Sequence, residues 1–287
     1  MSLKLISIFI TDISQCGGTE RTVISLANYL SENSYKVKII SLFSNKESKP
    51  FFEVDSKISV IHLQLSSYMN GSLFIKLKGY INSYLKVNRF IRDHDADIFM
   101  GTSRNTNLLC ILGGKKLIIG CEHFPNNVPM NGFLRIIRNI FYKKLTKLIV
   151  LTERDQHYYK LKGISTEVIP NAIPFNSCSV DFNIKEKVAL AVGRHSDQKN
   201  FKELIRIWKC IWKRCEDWTL FIVGEGPLFY ENQKFAKEIG CDSIKFIKYT
   251  NSIIEYYMKA SLYLMTSIYE AFPMVLIEAK NLGCVNI

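Results

Sequence analysis

Glu270 and Glu278 bracket the run EAFPMVLIE, two acids separated by seven residues in a segment that otherwise reads as buried core. Pro273 suits the first turn of a helix. Glu270 then falls in the loop before that helix, and Glu278 in its second turn. A carboxylate in that position can accept two hydrogen bonds from a sugar diol, as an acid does on a ribose in dinucleotide sites. A partly exposed helix glutamate is the plain alternative. A second pair is cationic: Arg194 and Lys199 in GRHSDQKN, five residues apart at the mouth of a helix. Two cations and a helix N-terminus can neutralise a diphosphate, although their spacing alone equally suits a solvated surface pair. Gly17 and Gly18 in TDISQCGGTERTV, and Gly224 in GEGP, follow strand-like runs. Glycines there let the backbone approach a phosphate or sugar, or simply make tight turns. The spacing is not GxGxxG, so no dinucleotide fingerprint is present.

These residues need elements to hold them. Apolar β-rich runs at 3–10, 36–43, 58–63, 97–102, 116–121 and 147–152 alternate with amphipathic stretches at 19–32, 73–93 and 133–146. Continuous apolar strands spaced by helices predict a parallel sheet covered on both faces. After Pro170-Asn171-Ala172-Ile173-Pro174 and a polar connector through Glu186 the rhythm restarts. Strands are predicted at 187–193, 218–223, 243–247 and 261–266, with helices at 200–215, 228–239, 251–259 and 274–282. The expectation is an α/β chain of two doubly wound domains, 1–172 and 173–287. Ligands would bind beyond the strands' carboxyl ends, in a cleft between facing sheets. The chain stops at CVNI, which reads as the start of another strand, so the second domain is expected to be incomplete.

With 287 residues and 47% hydrophobic content, the chain is long enough for two cores. No apolar run reaches the ~18 residues of a membrane span. The opening MSLKLISIFITD meets Thr11 and Asp12 rather than a small-residue cleavage site, so it reads as a first strand. Eight scattered cysteines without CxxC spacing suggest reduced thiols in a cytoplasmic protein. Asp93, Asp95 and Asp97 in RDHDAD read as a surface loop rather than a metal site. The net charge is +12, and residues 1–172 carry 23 Lys and Arg against 13 Asp and Glu. Such a basic face attracts polyanions, anionic lipid included. The segment FLRIIRNIFYKKLTKL (133–148) combines an apolar stripe with Arg135, Arg138, Lys143, Lys144 and Lys147. It could lie on a membrane or pack on the core with a basic back. No aromatic-interleaved basic motif points to nucleic acid.

Taken in order, GGTERTV, CEHF, VIPNAI, VGRHSDQKNF, VGEGP and YEAFPMVLIEA resemble the retaining, GT-B-fold glycosyltransferases of family 4. The resemblance implies two Rossmann-like domains facing a cleft and transfer of a sugar from a nucleotide diphosphate sugar, UDP-linked by expectation, with retention. Arg194 and Lys199 match the pair on the donor diphosphate, and Glu278 matches the acid on the ribose. Glu270 matches the acid by the donor sugar, with Ala271, Phe272 and Pro273 lining the pocket and Gly224 at the same sheet end. Gly17 and Gly18 match a loop closing on the donor, and His123 a histidine that touches the donor sugar. Lys248 stands where relatives often have glycine in the base-binding loop. No metal and no cofactor beyond the donor substrate are implied. The implied acceptor is a glycan or lipid-linked glycan in cell-surface polysaccharide synthesis, with the protein peripheral on the inner face of the plasma membrane. The rival reading is a catalytically incompetent fragment that at most binds nucleotide or a partner.

Overall fold

Strand β1 (Leu5–Ile10) sets the pattern for the first half: Ile6, Ile8 and Ile10 face one core while Phe9 faces another. That alternation lets a single strand carry helices on both sides of its sheet. The computed structural model describes residues 4–66, 73–111, 117–173, 180–250, 252–270 and 272–287. Ala271 and part of the connector lie outside them. The chain divides into two units, Met1–Pro174 and Phe175–Ile287.

In the first unit β1 is joined by β2 (Lys36–Ser41), β3 (Ser59–His62), β4 (Ile98–Gly101), β5 (Leu117–Glu122), β6 (Lys147–Val150) and β7 (Thr166–Val168). They form one sheet in the order β3-β2-β1-β4-β5-β6-β7, with every pairing parallel. Helix α1 (Gly18–Glu32) packs Val23, Ile24 and Ala27 on one face. On the other lie α2 (Leu73–Asp93), α3 (Arg104–Cys110), α4 (Gly132–Tyr142) and α5 (Glu153–Leu161).

The second unit has the order β10-β9-β8-β11-β12, again all parallel. Its strands are β8 (Glu186–Val192), β9 (Thr219–Val223), β10 (Ile244–Ile247), β11 (Ala260–Tyr263) and β12 (Val285–Asn286). Helices α6 (Phe201–Trp212) and α7 (Phe229–Glu238) cover one face, and α8 (Ile253–Lys259) and α9 (Met274–Asn281) the other. Lys185 fastens this second face: its ammonium donates to the carbonyls of Tyr257, Ala260 and Leu282 at 2.9, 2.9 and 2.6 Å, where α8 and α9 end.

Most predicted elements are found within a few residues, including a strand at the CVNI terminus. Helices α3 and α5 and strand β7 were not anticipated. RNTNLLC has no helical apolar period; α3 forms on a capping box at Ser103, whose hydroxyl accepts from Thr106 N–H. The 133–146 helix ends early, at Tyr142, because the chain turns there to bury Leu145. In the RDHDAD stretch, Asp97 accepts from the Leu5 N–H at 2.7 Å and Asp93 pairs with Arg89 in an exposed bridge. The seven described cysteines are free. No helix among the described residues is long and apolar enough to cross a membrane.

Candidate functional site

In each doubly wound sheet the strand order reverses beside the first strand, and the loops there diverge to leave a crevice. In the second unit that point lies between β8 and β11. The loop after β8 carries Gly193, Arg194 and Lys199; the loop after β11 carries Glu270 and leads into α9 through Phe272 and Pro273.

The two loops are bound to each other. Lys199 Nζ meets Glu270 Oε1 at 2.7 Å, with the two side chains 16% and 18% exposed. Gln198 donates its amide to the Tyr269 carbonyl at 3.0 Å and accepts from the Ile268 N–H at 2.8 Å through its own carbonyl. The Thr266 hydroxyl lies 3.2 Å from the carbonyls of Lys199 and Asn200. Sequence reasoning gave Lys199 and Glu270 separate ligand groups. The structure joins them, 71 residues apart, as one ion pair. Arg194 is exposed and has no ion pair among the described residues.

Close backbone packing shapes this corner. The Lys199 stem crosses Gly193 so tightly that a Cβ there would lie 2.8 Å from Lys199 Cε. A Cβ on Gly224 would collide with the Gly193 carbonyl oxygen, and one on Gly226 would lie 2.5 Å from the His195 carbonyl oxygen. The GEGP turn is therefore nested against GRH. The nest is closed by Gly193 N–H to the Val223 carbonyl and His195 N–H to the Glu225 carbonyl, both 2.9 Å. His195, absent from the sequence-derived site, is the buried peg of this nest. Its ring sits against Phe201, Phe229 and Phe246, and Asn232 donates to Nδ1 at 3.0 Å. Burial lowers its pKa to about 4, so the ring is neutral at pH 7. A histidine followed by polar residues gave no signal of burial.

Glu278 is not a partly exposed helix residue but a buried one, 3% accessible, taking a hydrogen bond from Tyr257 Oη at 3.1 Å. Tyr257 stacks on Tyr263, whose hydroxyl donates to the Val192 carbonyl at 3.1 Å. The carboxylate is thus tied to the end of β8 through two tyrosines. Helices α6 and α9 both start without a side-chain cap, at Asn200 and Pro273. Their first N–H groups and positive ends can therefore serve an anion. Together the corner offers two basic side chains, two helix starts and two carboxylates, a set suited to a sugar diphosphate.

In the first unit Gly17 is the N-cap of α1, again without a side-chain cap, and the Glu20 carboxylate folds back over it; Gly18 is open. His123 follows β5, its Nδ1 shielded from solvent without a partner among the described residues, and burial lowers its pKa to about 4. Beside it Glu122 is buried and accepts from Tyr142 Oη and from Asn107 Nδ2. Each unit thus holds its own share of the sequence-derived residues. No group of three or more metal-ligating side chains lies together among the described residues.

Both halves of the chain match known protein families. Residues 16–176 match Glycosyltransferase Family 4, and residues 174–287 match Glycosyl transferases group 1. The amylovoran biosynthesis glycosyltransferase AmsD of Erwinia amylovora is 33% identical, over 96% of this chain and 77% of its own length. A Campylobacter jejuni α-1,4-N-acetyl-D-galactosaminyltransferase, named for a diNAcBac-PP-undecaprenol-linked substrate, is 25% identical over 94% of this chain and 75% of its own. Among solved structures, a point mutant of TarM from S. aureus, in complex with Fondaparinux, α-GlcNAc-glycerol and UDP, superposes with a TM-score of 0.81. The match covers 99% of this chain and 85% of that one at 11% identity, a likeness of fold. The two parallel, doubly wound sheets are those of the GT-B architecture, and the chain belongs to glycosyltransferase family 4.

Proposed function

We propose that this chain transfers a sugar with retention from a UDP-type nucleotide diphosphate sugar to a glycan or lipid-linked glycan in cell-surface polysaccharide synthesis. The observation that carries the reading is the Lys199–Glu270 pair at the second unit's switch point, flanked by the uncapped starts of α6 and α9. In the reaction Lys199 exchanges Glu270 for the donor's diphosphate, joined by Arg194 and the α6 N-terminus. Charge growing on the leaving diphosphate is met by these fixed groups, with no metal or cofactor required of the chain. Glu270, released, serves the donor sugar, a role shared with His123, and Glu278 accepts hydrogen bonds from the ribose hydroxyls. The family membership, AmsD's role in amylovoran synthesis and UDP in the TarM complex support it.

The direct test is a thermal-shift series with UDP, GDP and their sugars. UDP at about 100 times its Kd should add about 2.7 kcal/mol of stability to the unit that binds it. Glu278→Gln, which keeps the shape and removes the charge, should reduce that response by about tenfold in affinity. If no nucleotide stabilises the wild type, the donor-site reading fails.

The place of action follows from α4, which we read as a membrane-surface helix on the cytoplasmic leaflet. It is built inside out: Phe133, Leu134, Ile136 and Ile140 are 70, 55, 61 and 56% exposed, while Arg138 is 1% exposed within the rings of Tyr142, Tyr158 and Tyr159. Exposed Lys143 and Lys144 adjoin the apolar face. An apolar stripe bordered by cations is complementary to an anionic bilayer, which each fully inserted Ile or Phe would favour by about 1.5–3 kcal/mol. In flotation with vesicles of phosphatidylglycerol and phosphatidylethanolamine at low salt, the wild type should float. Ile136→Glu with Ile140→Glu should stay at the bottom with an unchanged thermal midpoint. Equal flotation of the two would sink this reading.

A further inference from the structure

The end of β4 holds a polar group that the donor-side reading leaves idle. Arg104 opens α3 directly after β4, half-buried; it makes no ion pair among the described residues, and its Nε is shielded from water without a partner. His123 follows β5 with its Nδ1 in the same condition. The two strands pair in register, Gly101 beside Gly120, so both loops leave the same edge of one sheet. Glu122 closes β5, bonded to Tyr142 and Asn107. A Cβ on Gly101 would lie 2.4 Å from Asn107 Oδ1, and one on Gly120 would lie 2.8 Å from Leu145 Cδ1 and 3.2 Å from Asn107 Oδ1.

Burial raises the Glu122 pKa, while the Tyr142 hydrogen bond and the Arg104 and Arg138 charges act against that rise. Arg138 is already occupied by Asn139 and the tyrosine rings around it. A shielded nitrogen with no partner costs stability that a suitably placed acceptor would recover. Arg104 Nε has no hydrogen-bond partner and the side chain no ion pair among the described residues, so it can turn toward such an acceptor. The acceptor must be anionic and must offer several oxygens, which matches a guanidinium fork to a phosphate.

We propose that Arg104 forms a binding site in the first unit for a phosphate-type anion, the phosphate or diphosphate of the acceptor. The assignment to the acceptor rests on the glycosyltransfer reading; the anion site rests on the first unit alone. A phosphate there would anchor the acceptor by its linkage and leave its sugar hydroxyl free to react.

The test is calorimetric titration of inorganic pyrophosphate into the full chain saturated with UDP. The wild type should bind pyrophosphate while UDP is in place. Arg104→Gln should weaken that binding by about tenfold or more with UDP affinity unchanged. Arg104→Lys, which keeps the charge but not the fork, should weaken it less and covers the case in which the glutamine variant does not fold. Lys199→Met should lower UDP affinity and leave the pyrophosphate response intact. Absence of a pyrophosphate site on the UDP-saturated wild type, or one indifferent to Arg104→Gln and Arg104→Lys, overturns the proposal. Loss of UDP binding in Arg104→Gln overturns the acceptor assignment, since the phosphate would then be the donor's. Failure of the wild type to bind UDP counts against the donor site only, and pyrophosphate alone still decides Arg104.

Discussion

Replacing Lys199 with Met should lower turnover by about 10²–10³, the loss typical when one fixed group stabilising transition-state charge is removed. The same change should weaken UDP, because the ammonium would meet the diphosphate in the ground state as well. Glu270→Gln makes the opposite prediction for binding. In the free protein Glu270 holds Lys199 in a partly buried pair, and UDP must displace it. Removing the carboxylate's charge frees the ammonium, so UDP should bind as well or better while sugar transfer falls. A matched titration and rate measurement on the two variants separates these outcomes. If Glu270→Gln weakens UDP as much as Lys199→Met does, the exchange of partners at Lys199 is wrong. If Lys199→Met transfers sugar at the wild-type rate, the lysine has no part in the reaction.

The sequence carried the elements of the fold better than their connections. Ile6, Ile8 and Ile10 announce a buried strand by period alone, and Pro273 correctly marks the entrance to α9. What periodicity cannot encode is which loops become neighbours, because that follows from strand order. Lys199 reaches Glu270 only because β11 pairs with β8 rather than with β10. The Tyr257–Tyr263–Glu278 chain is hidden for the same reason, its parts lying on α8, β11 and α9. His195 was missed because its burial comes from three phenylalanines on separate elements. Helix α4 shows a different limit. Its apolar stripe was equally readable as a core face or a lipid face, and only the burial of Arg138 and Tyr142 shows that the stripe points outward.

The nesting of GEGP on GRH makes Gly224→Ala the most damaging small substitution in the second unit. Its φ of +141° lies in a region that L side chains rarely adopt. The new methyl would meet the carbonyl group of Gly193, backbone that has no rotamer through which to yield. Strain and overpacking of this kind each cost about 1–3 kcal/mol, so the thermal midpoint should fall by several degrees. The displacement would not stay local. Gly193 lies under the Lys199 stem and precedes Arg194, so pushing it away moves both cations from the diphosphate, and UDP affinity should drop by at least about tenfold. Gly18→Ala supplies the contrast. Its Cβ would find no atom within 4 Å at the first residue of α1. There the substitution should leave stability unchanged or raise it by about 0.4–1 kcal/mol. Any loss of transfer in Gly18→Ala would then report contact with substrate rather than damage to the fold. Differential scanning calorimetry with and without UDP measures both variants. An unshifted midpoint with normal UDP binding in Gly224→Ala would show that the two loops are not packed as a nest, and the placing of Arg194 and Lys199 on it would fall as well.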